Sequence, residues 1–133
     1  MANNRLIKDA TQQVSAPLPA AGANNNSDTI DLGAGAYKAE SFEVEIAIPA
    51  LGALEDNKTV TIKLQDSDDD STYADTDPLI QTTVEGDGGD GSDAKTIRFR
   101  LPATTRRYIQ FNHAVESAGG DNTGDAIVYS LLF

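Results

Sequence analysis

Apolar and polar side chains alternate along most of the chain after residue 27. Successive side chains of a β-strand point to opposite faces, so a run that is apolar at every second position predicts a strand with one buried face. In one such run Val60, Ile62 and Leu64 alternate with Thr59, Thr61, Lys63 and Gln65. The long runs lie at 42–48, 59–65, 96–101, 108–115 and 125–133, and the shorter candidates lie at 12–14, 29–32 and 79–84. This pattern predicts roughly seven or eight strands.

Clusters of Gly, Pro, Asn, Asp and Ser separate the predicted strands, for example at 66–77, 85–93 and 117–124. These residues favour turns. No segment after residue 28 carries about ten residues of helical periodicity, so an all-β sandwich is favoured over an α/β fold. Strands with one polar face indicate antiparallel sheets. Phe99, at an apolar position of its run, is expected in the core.

Residues 1–27 have a different pattern, with scattered apolar positions, Pro17, Pro19 and a polar run at 24–27. We predict an extended N-terminal arm at 1–27 and a β-sandwich domain at 28–133. A short helix over 5–14 is an alternative, but its apolar stripe is thin and would need a partner surface. We expect the arm to become ordered on a partner, and a variant starting at Ser27 to fold without it.

Length, composition and charge exclude several classes of protein. The 133 residues suit one domain, and the chain contains no cysteine, so disulfides and thiolate metal sites are excluded. A net charge of −11 would repel a nucleic-acid backbone, so no nucleic-acid partner is expected. No apolar run approaches the roughly 18 to 20 residues that span a bilayer, so we expect no membrane segment and synthesis in the cytoplasm without export.

The acidic loop 66–77 is the best candidate for a metal site. Its first carboxylates have the spacing of a calcium-binding loop, but Ser71 replaces the glycine of the sharp turn and Asp77 replaces the final glutamate. A solvated loop that keeps a sheet edge charged explains the same residues. We therefore expect no metal and no cofactor.

Candidates for catalysis are few. His113 is the only histidine, there is no cysteine, and no serine lies in a nucleophile-elbow motif. His113 shares its predicted face with Ile109, Phe111 and Val115, which favours a partly buried, hydrogen-bonded structural histidine over a pH-sensitive contact. We expect no catalytic residues and no enzymatic activity.

Several segments resemble the jelly-roll capsid cement, or decoration, proteins of tailed bacteriophages. The similarity lies in 26–33 after a polar arm, 59–69, Leu101-Pro102 and 107–111. This resemblance implies a β-sandwich of jelly-roll type on the outer surface of an icosahedral phage head. It also implies a homo-oligomer, dimer or trimer, that stabilises contacts between neighbouring copies of the major capsid protein.

Contacts to the capsid or to other subunits are expected from the arm and from a basic corner of the domain. The candidate residues are Arg5, Leu6, Ile7, Lys8, Val14, Leu18, Arg106 and Arg107. Arg106 and Arg107 belong to a group with Arg98 and Arg100, for which ion pairs with the protein's own carboxylates are the favoured alternative.

A second class of protein shares part of this pattern. A strand ending in Asp66-Ser67-Asp68-Asp69, followed later by Arg107-Tyr108-Ile109, also resembles galactose-binding-like sandwiches. The alternative function is therefore a carbohydrate-binding or adhesion module of a phage structural protein, because the fold alone does not fix the function. Exposed aromatic side chains clustered at one loop end would favour this alternative.

Overall fold

The computed structural model of the protein describes residues 8–33 and 39–132, and for residues 8–12 it describes the backbone alone. Within these residues the chain forms ten β-strands and one short 3₁₀ helix, Ala39–Ser41. The strands are β1 Lys8–Pro17, β2 Asn24–Asn26, β3 Ile30–Asp31, β4 Glu43–Ile48, β5 Thr59–Ser67, β6 Ala74–Asp75, β7 Gln81–Glu85, β8 Lys95–Arg100, β9 Tyr108–Val115 and β10 Ala126–Leu132.

The strands form two antiparallel sheets. The first sheet has the order β1-β10-β4-β8, and the second has the order β2-β9-β5-β6, with β3 also paired to β9 and β7 to β5. If β2 with β3 and β6 with β7 are each counted as one interrupted strand, the strand orders are 1-8-3-6 and 2-7-4-5. This arrangement is an eight-stranded jelly roll. The predicted all-β antiparallel sandwich of jelly-roll type is confirmed.

The core lies between the two sheets and follows the alternation of the sequence. On β5 the side chains of Val60, Ile62 and Leu64 are buried, while those between them are half-buried. The facing strand β10 contributes Tyr129, whose ring stacks on that of Phe111 with centroids 3.9 Å apart. Burying each large apolar side chain contributes about 1.5 to 3 kcal/mol. Contacts between the sheets therefore hold the sandwich together.

The described part of the expected arm is extended, but it lies in the sandwich rather than apart from it. Strand β1 pairs antiparallel with β10, and β2 pairs with β9, so this segment forms an edge of both sheets. Ala16 and Leu18 are buried in the core. The alternative helix over 5–14 is wrong from residue 8 onward, because the open edge of β10 offers backbone hydrogen bonds to an extended strand. The domain boundary after residue 27 remains a prediction.

Phe99 lies farther from the core than its position in the alternation predicts. Its side chain is directed to the core face of β8, but it is only half-buried and packs against the core from the side. Strand β8 is the last strand of its sheet, so it has a neighbouring strand on one side only. Alternation in the sequence identifies the face of a strand and not its distance from the edge of the sheet.

Candidate functional site

The basic corner predicted from the sequence is an ion-paired junction between β9 and the end of β5. The guanidinium of Arg106 donates to Asp66 Oδ1 from Nε at 3.1 Å and from Nη2 at 2.9 Å, and Nη2 also reaches the Asp66 carbonyl oxygen at 2.8 Å. The Arg106 backbone N–H donates to Asp66 Oδ2 at 2.9 Å. Hydrogen bonds from Arg106 to the Asp66 carboxylate raise the pKa of Arg106. Arg106 therefore holds the acidic loop against the start of β9.

Arg107 forms a second pair beside the first. Its Nε and Nη2 donate to the two carboxylate oxygens of Asp31 at 2.8 and 2.9 Å. These hydrogen bonds, with a third from the Gly33 backbone N–H, lower the pKa of Asp31. The guanidinium carbon also lies 4.8 Å from the ring centroid of Tyr108, within range of a cation–π contact. Arg107 thus ties β3 to β9 while remaining partly exposed.

The other two arginines of the group pair on the outer face of the first sheet. Arg98 lies 3.1 Å from a carboxylate oxygen of Glu45, and Arg100 lies 2.9 Å from one of Glu43. Both pairs join neighbouring positions of β8 and β4. The favoured alternative, internal pairing with the protein's own carboxylates, is thus what the structure shows for all four arginines.

Two carboxylates of the acidic loop, those of Asp69 and Asp70, accept hydrogen bonds from residues of the loop itself. Asp69 Oδ1 accepts hydrogen bonds from the Ser67 hydroxyl at 2.8 Å and from the backbone N–H groups of Ser71 and Thr72 at 2.9 and 3.1 Å. The Thr72 bond is the main cause of the lowered pKa of Asp69. Asp70 accepts a hydrogen bond from the Tyr73 hydroxyl. Burial and this carboxylate raise the pKa of Tyr73.

His113 lies inside the sandwich, where the sequence places a structural histidine. Its side chain has 0% exposure, Nδ1 lies 2.9 Å from Asn25 Oδ1, and Nε2 lies 2.5 Å from the Tyr129 hydroxyl. Burial lowers the pKa of His113 to about 4. The predicted hydrogen-bonded histidine is confirmed, and its burial is complete rather than partial.

The remaining candidate contact residues fall into three groups. Arg5, Leu6 and Ile7 lie outside the described residues, and of Lys8 only the backbone is described, at the start of β1. Val14 is half-buried against the core. Leu18 is 2% exposed in this chain's own core and offers little surface to a partner. Arg106 and Arg107 form adjacent ion pairs with Asp66 and Asp31, and they are distant in sequence from the other candidates, which lie at 5–18.

An apolar cleft that the sequence did not predict opens between the sheets on the side of β7 and β8. Its volume is about 190 Å³. Its lining includes the side chains of Ile62, Leu64, Ile80, Ile97, Phe99 and Phe111. The sequence gives little indication of this cleft, because a pattern of apolar residues does not show where the two sheets leave a space between them.

The described residues contain no group of three or more His, Cys, Asp or Glu side chains that could hold a metal ion. In that same part of the chain no helix is long and apolar enough to cross a membrane.

Comparisons with known proteins identify the fold and no family. No protein-family model matches the chain, and no curated protein matches it in sequence. Among solved structures, the PBSX exported protein XepA aligns with 99% of this chain at 12% identity and a TM-score of 0.56. The chain spans only 38% of the length of XepA. This likeness supports the antiparallel β-sandwich fold.

Two other solved structures align with lower scores. Desmodium yellow mottle tymovirus aligns with 99% of this chain and 88% of its own, at 7% identity and a TM-score of 0.48. TmCBM61, solved in complex with β-1,4-galactotriose, aligns with 96% of this chain and 86% of its own, at 14% identity and a TM-score of 0.39. At these scores neither structure carries an argument about this chain.

Proposed function

We propose that this protein is a capsid cement protein. It binds the outer surface of an icosahedral phage head as a homo-oligomer and stabilises contacts between neighbouring major capsid proteins. The observation that carries the proposal is the jelly roll in which the N-terminal segment supplies the edge strands β1 and β2. The segment that contains β1 and β2 therefore lies at the edge of the sandwich, with one side of each strand open to a neighbouring protein. The resemblance of 26–33 and 59–69 to phage cement proteins supports the same function.

Charge supports the outer surface as the site of binding. The chain carries 21 acidic and 10 basic residues. Four of the arginines are already paired with carboxylates of the same chain. So acidic a protein would be repelled by packaged DNA inside a shell. The outside of the head is the favourable location.

Stabilisation follows from mass action and needs no chemical step. A protein that binds the assembled shell and not the separated subunits adds its binding free energy to the cost of disassembly. An oligomer that engages two subunits at once gains effective concentration, so modest individual contacts suffice. The proposed protein is not an enzyme and uses no cofactor.

The contact residues proposed for the shell lie at the beginning of the chain. Arg5, Leu6 and Ile7 precede β1 and combine a cation with two large apolar side chains. Arg106 and Arg107 contribute less, because their guanidinium groups are held by Asp66 and Asp31. The N-terminal segment is therefore the first surface to test.

The experiment adds purified protein to phage heads that lack it and measures bound protein and the temperature at which the heads break. We expect binding and a higher breaking temperature for the full chain, and clear weakening for the triple variant Arg5→Ser, Leu6→Ser, Ile7→Ser. The matched control is Asn3→Ser with Asn4→Ser, which changes the same segment without removing charge or apolar surface. Heads that neither bind the full chain nor gain stability would contradict the proposal.

One observation favours the alternative, a carbohydrate-binding module. Tyr73 and Tyr108 are both half-buried, and Arg107 lies against the Tyr108 ring. An aromatic face beside polar groups is a suitable surface for a sugar ring. A glycan-binding screen with Tyr108→Ala as the control separates the two functions. Specific binding that Tyr108→Ala abolishes, without binding to heads, would favour the alternative.

A further inference from the structure

A short polar segment of the chain covers the buried histidine. This segment, residues 20–26, is called the strap, and it is exposed except for Asn25, which is half-buried. The chain is anchored on either side of it, because Leu18 and Ile30 are 2% and 3% exposed in the core. The strap can therefore leave the sandwich without taking a large apolar side chain out of the core.

Hydrogen bonds attach the strap to β9 and to β1. The Gly22 backbone N–H donates to the Val115 carbonyl oxygen at 2.9 Å, and the Val115 N–H donates to that of Ala23 at 3.2 Å. Strand β2, which lies within the strap, pairs with β9. Asn25 Nδ2 donates to the Pro17 carbonyl oxygen at 2.9 Å. Because this attachment is polar and local, the strap can open at a lower free energy than the whole domain.

His113 lies next to Asn25 in surroundings that provide no counter-ion. Its partners on the neighbouring strands are Asn25 on β2 and Ile62 on β5, and Tyr129 faces it from β10. Tyr129 is the titratable group among these, and burial raises its pKa, so its hydroxyl keeps the proton. Burial is also the main cause of the lowered pKa of His113, and no charged side chain of the described residues is among the causes.

A second proton on the His113 ring is unfavourable while the strap is closed. With Nδ1–H donating to Asn25 Oδ1, the Nε2 atom accepts from the Tyr129 hydroxyl. A protonated Nε2 becomes a donor, so the hydroxyl hydrogen of Tyr129 loses its acceptor, and the charged ring is cut off from water. Displacing the half-buried Asn25 is the most direct way to bring water to the ring.

We propose that the strap is an acid-released cover, which detaches from β9 when His113 is protonated while the rest of the sandwich stays folded. The open strap admits water to the charged ring and frees the Tyr129 hydroxyl. The bond from Asn25 to the Pro17 carbonyl is lost at the same time, which loosens the end of β1. This inference does not depend on the proposed function, and its test uses purified protein without heads.

The test is native-state hydrogen exchange of the full chain at pH 7 and pH 5, followed by NMR and corrected for the intrinsic exchange rate at each pH. The pKa of His113 is about 4 in the closed state and about 6.5 once the ring is exposed, so the open state gains about twentyfold between the two pH values. The protection factors of the Gly22 and Val115 amides should therefore fall about twentyfold. They should also stay at least about tenfold below that of Leu64, whose amide lies on the central strand β5.

Two variants separate the titration of His113 from other effects of acid. His113→Gln lacks the titrating group, so the protection factors of its strap should be equal at pH 7 and pH 5. Asn25→Asp places a carboxylate beside the ring, which stabilises the charged form and should keep the strap closed at pH 5. The comparison of Gly22 with Leu64 in the wild-type chain needs no variant, so it tests the proposal even if a variant fails to fold.

Three results would overturn the proposal. The first is a protection factor at Gly22 and Val115 that is the same at both pH values. The second is strap amides as well protected as that of Leu64 at pH 5, because they would then exchange only when the whole sandwich unfolds. The third is a folded His113→Gln or Asn25→Asp chain that keeps the twentyfold loss.

Discussion

The hydroxyl of Tyr129 and the Nε2 atom of His113 lie 2.5 Å apart and join the two sheets of the sandwich through one hydrogen bond. On the other side of the ring, His113 Nδ1 lies 2.9 Å from Asn25 Oδ1 on β2. With that oxygen as acceptor, Nδ1 carries the proton and Nε2 accepts from Tyr129. The neutral histidine thus connects β10, β9 and the N-terminal segment.

Acid should remove the stability that the buried neutral His113 contributes. The pKa of His113 is about 4 in the folded protein because the ring is buried, against about 6.5 in an unfolded chain. The stabilisation is complete above pH 6.5 and is lost as the pH falls toward 4, because the unfolded state binds the proton first. We expect the free energy of unfolding to fall by about 2 kcal/mol between pH 7 and pH 5, measured by urea denaturation.

His113→Gln is the control for this prediction. It lacks the titrating group, so its free energy of unfolding, although lower at pH 7, should change little between pH 7 and pH 5. A wild-type protein whose stability is the same at both pH values would show that His113 is not held neutral.

Phe111 and Phe99 provide a matched pair for testing the depth of the core. Phe111 is 1% exposed and stacks on Tyr129, so Phe111→Ala should lower the free energy of unfolding by about 3 to 5 kcal/mol. Phe99 is half-buried beside the cleft, so Phe99→Ala should lower it by only about 1 to 2 kcal/mol. Equal losses in urea denaturation would mean that the cleft is closed in solution.

Asp66 and Asp31 test how much burial strengthens an ion pair. The Asp66 side chain is 7% exposed and accepts both side-chain and backbone hydrogen bonds from Arg106, whereas that of Asp31 is 46% exposed in its pair with Arg107. Asp66→Ala leaves donors of Arg106 unsatisfied and should lower the free energy of unfolding by about 2 to 3 kcal/mol. Asp31→Ala should change it by less than about 1 kcal/mol. The opposite order in thermal or urea unfolding would contradict the structure.

Strands that bury one face could be predicted from the sequence because their alternation is a direct consequence of burial. The run 108–115 coincides with β9, and 59–65 differs from β5 only at its end. Strand β2, Asn24–Asn26, contains no apolar residue and was not predicted. It is held by backbone pairing with β9 and by a side-chain bond from Asn112 to Asn26. Polar strands of this kind depend on a partner strand that is distant in sequence.

The candidate site could be predicted less well than the fold. The arginines and the aspartates 31 and 66 are all visible in the sequence, but their pairing spans 76 and 40 positions and depends on the strand order. The cleft is lined by side chains from both sheets, and no local pattern in the sequence shows which of them meet. A site that combines residues from several strands can therefore be predicted only when the order of the strands is known.

Calcium should have little effect on this protein. Two of the three carboxylates that have the spacing of a calcium site are engaged, Asp66 by Arg106 and Asp70 by Tyr73, and Asp69 between them accepts hydrogen bonds from three donors of its own loop. Binding an ion would first have to break these bonds. We expect millimolar calcium or a chelator to shift the melting temperature by less than about 2 °C in differential scanning calorimetry. A shift of many degrees would show that the loop rearranges around a metal.

Removing the N-terminal segment in two steps should separate its role in the fold from its role in binding. A variant starting at Ser27 lacks β1 and β2, the buried side chains of Ala16 and Leu18, and the Asn25 partner of His113. The sequence alone predicts that such a variant folds, but because β1 and β2 pair with β10 and β9 we expect it to be strongly destabilised. The truncation also exposes the edges of β10 and β9, which favours aggregation.

A variant starting at Lys8 keeps all of these contacts. It should melt within a few degrees of the full chain while binding heads more weakly, as measured by scanning calorimetry and co-sedimentation. A Ser27 variant as stable as the full chain would show that β1 and β2 are an arm after all, and the shell contact would then extend over the whole segment.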